Sequence, residues 1–226
     1  MILRSAILAV SALALTACAA GPNYRDRYGR FFKPVAEPSK VVATELAFAR
    51  AAQEDGQWTA FREYAADGAL IFARNGAIEA KSWLRDQEDP AQAVAWQPHR
   101  LWSSCDGSVA VTQGAFQDPD GQVGIFNTVW QRQRDGEYKY IFDFGFPQGA
   151  APEAPELIQT EVASCDREID VGEPDSAIPL RTSRDSSLAW GFQTVGEGER
   201  HYVVWLATEE GWEQVVNIAL EADRAE

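Results

Sequence analysis

Four runs with a period of two follow one another between residues 95 and 146, and they restrict the fold more than any other feature of this chain. Within each run apolar and polar side chains alternate, which is typical of strands that bury one face. Turns containing an acidic residue and a glycine join the runs, and this turn chemistry favours hairpins. The sequence therefore predicts an antiparallel meander with strands at 96–104, 108–117, 123–133 and 137–145.

The segment before the meander has a helical pattern. Val42, Leu46 and Ala49 recur at helical spacing, and Gly56 interrupts the pattern. The expected elements are helices at 40–54, 56–66 and 79–88 and a short strand at 68–73. Helices followed by a meander predict an α+β fold, in which a curved sheet wraps around a helix and leaves a concave, partly apolar cavity.

Four segments in this order resemble the NTF2-like superfamily, and within it the SnoaL-like and DUF4440 proteins related to ketosteroid isomerase. They are FREYAADGALIF (61–72), AKSWLRDQ (80–87), Trp96 and Pro98 with DGSVAVTQGAF (106–116), and TVWQRQRDGEYKYIFD (128–143). The resemblance covers 40–146. It implies a cone-shaped, curved antiparallel sheet packed on N-terminal helices, with a pocket open at one end and, frequently, a homodimer.

Residues 156–226, after a connector at 147–155, repeat part of the meander. SLAWGFQTV (187–195) is similar to SVAVTQGAFQ (108–117), and a Trp precedes a turn glycine by six residues in both copies. An isolated meander with one apolar face needs a partner surface. We expect this C-terminal β-meander to pack on the first sheet or on a second copy of the chain. The alternative is that any two meanders look this similar.

The N-terminus predicts export. Arg4 precedes a short apolar stretch at 5–15, which is shorter than the roughly 20 residues that span a bilayer and is typical of a signal peptide. The residues LTAC (15–18) resemble the lipobox of bacterial lipoproteins. In that family the signal, here 1–17, is removed and the cysteine, here Cys18, carries the acyl chains.

The lipobox resemblance also implies a location. Residues 18–39 are rich in Pro, Gly and mixed charge and fit a tether between lipid and domain. Ala19 resembles the default for sorting to the outer membrane, so we expect the protein on the periplasmic face of that membrane. The alternative is an ordinary signal peptide, cut near Ala17 or Ala20.

Composition excludes several classes of function. The chain has 20 Lys and Arg against 34 Asp and Glu, a net charge of -14, which argues against binding to nucleic acid. Three Cys and two His are too few for a zinc cluster, so we expect no metal. We find none of the common nucleophile, phosphate-loop or dinucleotide motifs and expect no cofactor.

The family resemblance implies how an active site could work. Ketosteroid isomerase moves a proton beside a carbonyl group with a carboxylate base in an apolar pocket. Residues of suitable chemistry are Asp143, Asp67, His99 and Tyr64, but their spacing does not match that enzyme's catalytic set. Structural roles compete: Asp67 fits a turn or cap, and His99 fits a surface or hydrogen-bonded site. Strict alternation places Asp143 opposite its aromatic neighbours, in solvent or in an ion pair.

Two functions stay open. The first is an envelope lipoprotein that binds a small apolar ligand or a protein partner without catalysis. The second is a small-molecule isomerase, hydrolase or dehydratase with a pocket Asp or His as general acid or base. A buried carboxylate or imidazole facing an open cavity favours the enzyme, whereas a pocket filled by aromatic side chains favours the interaction module. The aromatic residues considered for the pocket are Trp102, Phe126, Trp130, Tyr140 and Phe142.

Two cysteines remain after lipidation of Cys18. Cys105 and Cys165 both stand in Ser-Cys-Asp contexts near expected strand ends. Exported proteins commonly form disulfides, and a bridge here would attach the C-terminal meander to the first domain. The alternative is a pair of buried, unpaired thiols, which are also common in small domains.

We predict that Cys18→Ser abolishes lipid attachment, because the thioether to the acyl chains forms on that sulfur. Metabolic labelling with a palmitate analogue measures the change. The wild-type chain should incorporate the label, and the variant should stay unprocessed or soluble without it. Labelling that is equal in the two chains would contradict the lipobox.

Overall fold

The computed structural model describes residues 35–73, 76–166, 173–196 and 198–221. The predicted signal peptide, Cys18 and most of the predicted tether lie outside these residues. The helices and strands in chain order are α1 (Pro38–Glu54), α2 (Gln57–Tyr64), β1 (Ala65–Ala73), β2 (Gly76–Glu79), α3 (Ala80–Leu84), β3 (Ala95–Ser103), β4 (Val109–Gln117), β5 (Val123–Arg132), β6 (Tyr138–Pro147), β7 (Gln159–Val162), β8 (Arg181–Thr182), β9 (Leu188–Val195), β10 (Glu199–Thr208) and β11 (Gly211–Leu220).

The first sheet has the strand order β2-β1-β6-β5-β4-β3-β7. Its centre is the predicted antiparallel meander, β3 to β6. The sheet as a whole is mixed, because β1 pairs with β6 in parallel and β7 pairs with β3 in parallel. A purely antiparallel sheet was therefore the wrong expectation. Parallel neighbours need a long crossover, and such a crossover leaves no turn signal in the sequence.

The three helices pack on one face of this sheet, which we call the helix face. The buried side of α1 carries Val41, Glu45, Phe48 and Ala52. The stripe expected from the sequence was different, and its member Leu46 is 40% exposed. The expected and observed stripes differ because the carboxylate Glu45 occupies a buried position, and a pattern of apolar residues alone leaves that position out. None of the described helices is both long and apolar enough to cross a bilayer.

The C-terminal meander forms a second, four-stranded sheet of order β11-β10-β9-β8. It packs on the other face of the first sheet, which we call the sheet face, and this is one of the two arrangements that the sequence left open. Aromatic side chains dominate the contact: the ring of Phe142 lies 4.7 Å from that of Phe192 and 5.4 Å from that of Tyr202, centre to centre. The central strands of the first sheet are consequently covered on both faces.

Two similar turns join the sheets, and we call this pair the turn clasp. Residues 104–108 (SCDGS) precede β4 and residues 183–187 (SRDSS) precede β9. The amide of Cys105 donates to Oγ of Ser187 (2.9 Å), and the amide of Arg184, at the matching position, donates to Oγ of Ser108 (3.0 Å). These reciprocal hydrogen bonds relate the two copies of the repeat found in the sequence.

A disulfide between Cys105 and Cys165 reinforces the clasp. The pairing was an open alternative in the sequence, and the bonded form is present. The amide of Ser164 also donates to the carbonyl oxygen of Ala207 in β10, at 2.8 Å. The bridge therefore ties the turn before β4 to the segment that leads from β7 towards the second sheet.

We predict that the double variant Cys105→Ser/Cys165→Ser lowers the free energy of unfolding by about 4 kcal/mol, within a measured range of roughly 0–5 kcal/mol for such loops, because the bridge closes a loop of 60 residues in the unfolded chain. Denaturant unfolding with and without reductant measures this. Reductant should destabilise the wild-type protein and leave the double variant unchanged. Two free thiols in the denatured, unreduced wild-type domain would contradict the bridge.

Candidate functional site

A cavity of about 310 Å³, partly open to solvent, lies between the helices and the helix face of the first sheet. Of the described residues that line it, seven are aromatic and one is a carboxylate. The lining consists of Phe48, Gln57, Trp58, Phe61, Ile71, Trp83, Val94, Trp96, Phe116, Phe126, Thr128, Asp143 and Gly145. We call this space the aromatic cavity.

One wall of the cavity is a connected set of rings from the three helices and from β3. Trp58 lies 5.0 Å from Trp83 with the ring planes inclined by 83°, and Phe48 lies 4.9 Å from Trp96 at 67°. Phe61 joins the two pairs, at 5.5 Å from Trp58 and 4.8 Å from Phe48. Edge-to-face packing fixes ring orientations, so the wall is preformed.

A β-bulge at Ile141 directs Asp143 into the cavity. Tyr140 pairs with Trp130, but Phe142 pairs with Val129, so β6 carries one extra residue at this point. Tyr140 and Asp143 consequently share the helix face, whereas Phe142 lies on the sheet face. Strict alternation placed Asp143 in solvent or in an ion pair, and this expectation is wrong because a bulge reverses the facing of all residues beyond it.

The carboxylate of Asp143 has a strongly altered acidity. Burial raises its pKa to about 7, the hydrogen bond from Oγ1 of Thr128 opposes that rise, and the charge of Glu45 adds to it. The Thr128 hydroxyl donates to Oδ2 at 2.9 Å. A carboxyl group with a pKa near 7 can both accept and release a proton at neutral pH.

Glu45 is a second buried carboxylate beside the cavity, and the apolar pattern of the helix does not reveal it. Its Oε1 accepts from Nε1 of Trp96 at 2.8 Å, and its Oε2 accepts from Oγ1 of Thr112 at 2.5 Å and from Nε1 of Trp130 at 3.1 Å. Burial raises the pKa of Glu45 despite these three donors. By holding the indole of Trp96, Glu45 orients part of the cavity wall.

A helical pattern that admits a carboxylate could have found Glu45. Val41, Glu45, Phe48 and Ala52 follow the spacing of a buried helix face as closely as the stripe chosen from apolar residues alone. The spacing does not reveal the three hydrogen-bond donors, since these come from strands more than 50 residues further along the chain.

The other catalytic candidates lie outside the aromatic cavity. Asp67 is exposed and accepts from Nζ of Lys81 at 2.6 Å, and that interaction lowers its pKa. His99 is the extra residue of a bulge in β3 and lines a different cavity beside the connector. Tyr64 ends α2, and its ring stacks on Phe48 at 4.9 Å. Of the four candidates, Asp143 alone is brought to the cavity.

Of the aromatic candidates, Phe126 lines the cavity. Trp102 and Phe142 belong to the core between the two sheets, and Trp130 and Tyr140 are fully buried between helices and sheet. These four residues do not line the cavity, so the expectation that they contact a ligand there is wrong. The physical reason is that Trp102 and Phe142 pack against the second sheet, whereas Trp130 and Tyr140 pack under the helices.

The described residues contain no group of three His, Cys, Asp or Glu side chains close enough to hold a metal ion. The cavity lining presents the carboxyl group of Asp143, whose pKa lies near 7, among aromatic rings. Such a group can exchange a proton with a bound molecule or balance a charge on it.

No protein-family model matches the chain. No curated protein matches it either. Among solved structures, the chain is similar to a protein from Exiguobacterium sibiricum assigned as a calcium/calmodulin-dependent kinase II association domain, at 17% identity and a TM-score of 0.38 over 53% of this chain and 99% of that chain.

Two further solved structures are similar to the chain. A protein from Parabacteroides distasonis assigned as a ketosteroid isomerase has 15% identity and a TM-score of 0.39, over 52% of this chain and 98% of that chain. Nuclear transport factor 2 from Cryptosporidium parvum has 10% identity and a TM-score of 0.38, over 52% of this chain and 100% of that chain.

We predict that Asp143→Asn removes a pH-dependent loss of stability. The pKa of Asp143 is about 7 in the folded chain against an ordinary 3.8, so the folded state holds this proton more tightly and wild-type stability falls as pH rises from about 4 to 7. Each pKa unit corresponds to about 1.4 kcal/mol, which sets a ceiling of roughly 4 kcal/mol on the gain of the variant at pH 8. Denaturant unfolding at pH 4.5 and pH 8 measures it.

Asp67→Asn is the matched control for this experiment. The pKa of Asp67 is lowered by Lys81, so its contribution is present above the ordinary pKa and is lost on acidification. The control should therefore gain no stability at pH 8. An Asp143→Asn variant that behaves like this control would show that Asp143 titrates normally.

Proposed function

We propose that this protein binds a small, largely apolar molecule in the aromatic cavity and that Asp143 contacts the polar group of that molecule. The observation that carries the proposal is an open cavity of about 310 Å³ whose described lining is mostly apolar and includes seven aromatic side chains. Binding sites for small molecules are typically concave and apolar with a few placed polar groups, and their volumes begin at about 300 Å³. The volume favours a ligand with one or two rings.

Asp143 faces the open cavity, which is the arrangement that the sequence analysis associates with an enzyme, and this supports proton-transfer catalysis as a second candidate. The pKa of Asp143 lies near 7, which suits a general acid or base at neutral pH. Stabilising an enolate also requires hydrogen-bond donors near the developing charge. The hydroxyl of Thr128 and the indole N–H of Trp96 already donate to Asp143 and Glu45. Because these hydrogen-bond donors are already used within the protein, the cavity supports ligand binding more directly than it supports isomerase activity.

We also propose that the protein works in the cell envelope, attached through Cys18. The lipobox-like residues 15–18 support this, and so does the disulfide between Cys105 and Cys165, since such bridges persist in oxidising compartments.

Naphthalene is a suitable probe of the cavity, and a cavity-filling variant tests its location. Gly145 lines the cavity on β6 with a backbone that accepts a side chain, so Gly145→Leu should occupy the space. We expect one naphthalene per wild-type chain, detected by quenching of tryptophan fluorescence, and an affinity at least about tenfold lower in the variant, equivalent to roughly 1.4 kcal/mol.

Gly149→Leu is the matched control, because a side chain at Gly149 meets open space. Its affinity for naphthalene should equal that of the wild type. Failure of naphthalene to bind the wild-type protein, or equal binding to Gly145→Leu, would refute the aromatic cavity as the ligand site. A reaction on a bound ligand that depends on a group of pKa near 7 and is lost in Asp143→Asn would establish the catalytic alternative.

A further inference from the structure

We infer that the ligand of the aromatic cavity is an organic cation, an amine or quaternary ammonium group carrying apolar substituents. The inference rests on the proposed binding function and specifies the chemical class of the ligand. It follows from the charges on the cavity wall, from the aromatic rings around them and from the hydrogen bonds already made inside the protein.

The carboxylate of Asp143 lacks a positively charged neighbour on the described wall of the cavity. The lining includes no described Lys, Arg or His, and its polar members besides Asp143 are Gln57 and Thr128, which are neutral. Thr128 donates one hydrogen bond to Oδ2. Buried charges in proteins are normally paired, so a ligand that brings the positive charge would complete this site.

The neighbouring carboxylate strengthens the preference for a cation. Thr112 and Thr128 face each other across β4 and β5, and Asp143 faces Thr128 across β5 and β6, so Glu45 and Asp143 stand at the two ends of one row. Three donors within the protein occupy Glu45. Glu45 therefore contributes negative potential to the cavity and leaves Asp143 as the group that contacts the ligand.

The aromatic rings of the cavity wall also favour a cationic ligand. The face of an aromatic ring attracts cations, most strongly in tryptophan, and cages of such rings recognise quaternary ammonium groups. Three tryptophans line this cavity, and the planes of Trp58 and Trp83 are nearly perpendicular, so the rings approach the space from different directions. An anionic ligand would meet repulsion from the carboxylates and the ring faces together. The chain's net charge of -14 also favours the approach of cations.

Three other titratable groups lie near Asp143 and bear on how cation binding depends on pH. They are Glu45 on α1, Tyr140 on β6 and Tyr202 on β10. Burial raises the pKa of both tyrosines, so they stay neutral in the tested range. A cation binds the ionised form of Asp143, so its affinity should rise with pH towards and through about 7.

A pair of probes with the same shape and different charge tests the inference. Phenyltrimethylammonium and tert-butylbenzene differ by one positive charge, and calorimetry or tryptophan fluorescence measures both. We expect the cation to bind wild-type protein at least tenfold more tightly than the hydrocarbon at pH 8, and this preference should shrink about tenfold at pH 6. In Asp143→Asn the preference should fall at least tenfold, and in the control Asp67→Asn it should persist. Circular dichroism of each variant verifies folding.

The outcomes separate this inference from the proposed function. If the hydrocarbon binds as tightly as the cation, the charge preference is refuted while the cavity remains a binding site. If neither probe binds, both proposals fail. If the preference survives in a folded Asp143→Asn protein, the cation is held elsewhere and the role of Asp143 is refuted. An NMR titration adds a readout on the wild-type protein, where saturation with the cation should lower the pKa of Asp143.

Discussion

Strand β6 packs against two cores at once, and the rest of the structure depends on how it does so. Tyr138 and Tyr140 point into the helix core, whereas Phe142, Phe144 and Phe146 point into the core between the sheets. With a period of two, a strand keeps one set of side chains on one face. The bulge at Ile141 breaks that rule once, which fills both cores with large rings and directs Asp143 to the cavity.

The helix core contains a polar centre in addition to its rings. Glu45 accepts hydrogen bonds from two tryptophans and a threonine, and these partners lie on three different strands. A buried carboxylate is tolerated when its lone pairs are satisfied, and removing one partner leaves an uncompensated polar group. This hydrogen-bond set fixes the position of α1 on the sheet and the orientation of Trp96. The shape of the cavity therefore depends on Glu45.

The second sheet explains why the first one is so aromatic. Helices and the second sheet cover the two faces of the first sheet, so burial is nearly continuous along β4 and β5 even though apolar and polar side chains alternate in the sequence. The two meanders also share a register shift at matching positions. The pairing of β5 with β6 shifts between Val129 and Trp130, and the pairing of β10 with β11 shifts between Val204 and Trp205. Matching bulges and reciprocal turn hydrogen bonds indicate that the C-terminal sheet repeats the design of the first.

The sequence by itself determined those parts of the structure that depend on interactions between residues close together in the chain. Gly-containing turns and alternating runs placed β3 to β6 within about two residues, because a hairpin depends on neighbours in the chain. The repeat in the C-terminal part and the apolar cavity were also predicted. Strand β7, Glu45 and the facing of Asp143 were not, since each depends on partners distant in the chain. Strand β2 was also missed: it pairs with the adjacent β1, but its four residues are too few to show a period. The tertiary structure alone decided the site, because β6 packs its side chains into two cores and one extra residue in that strand turns Asp143 towards the cavity.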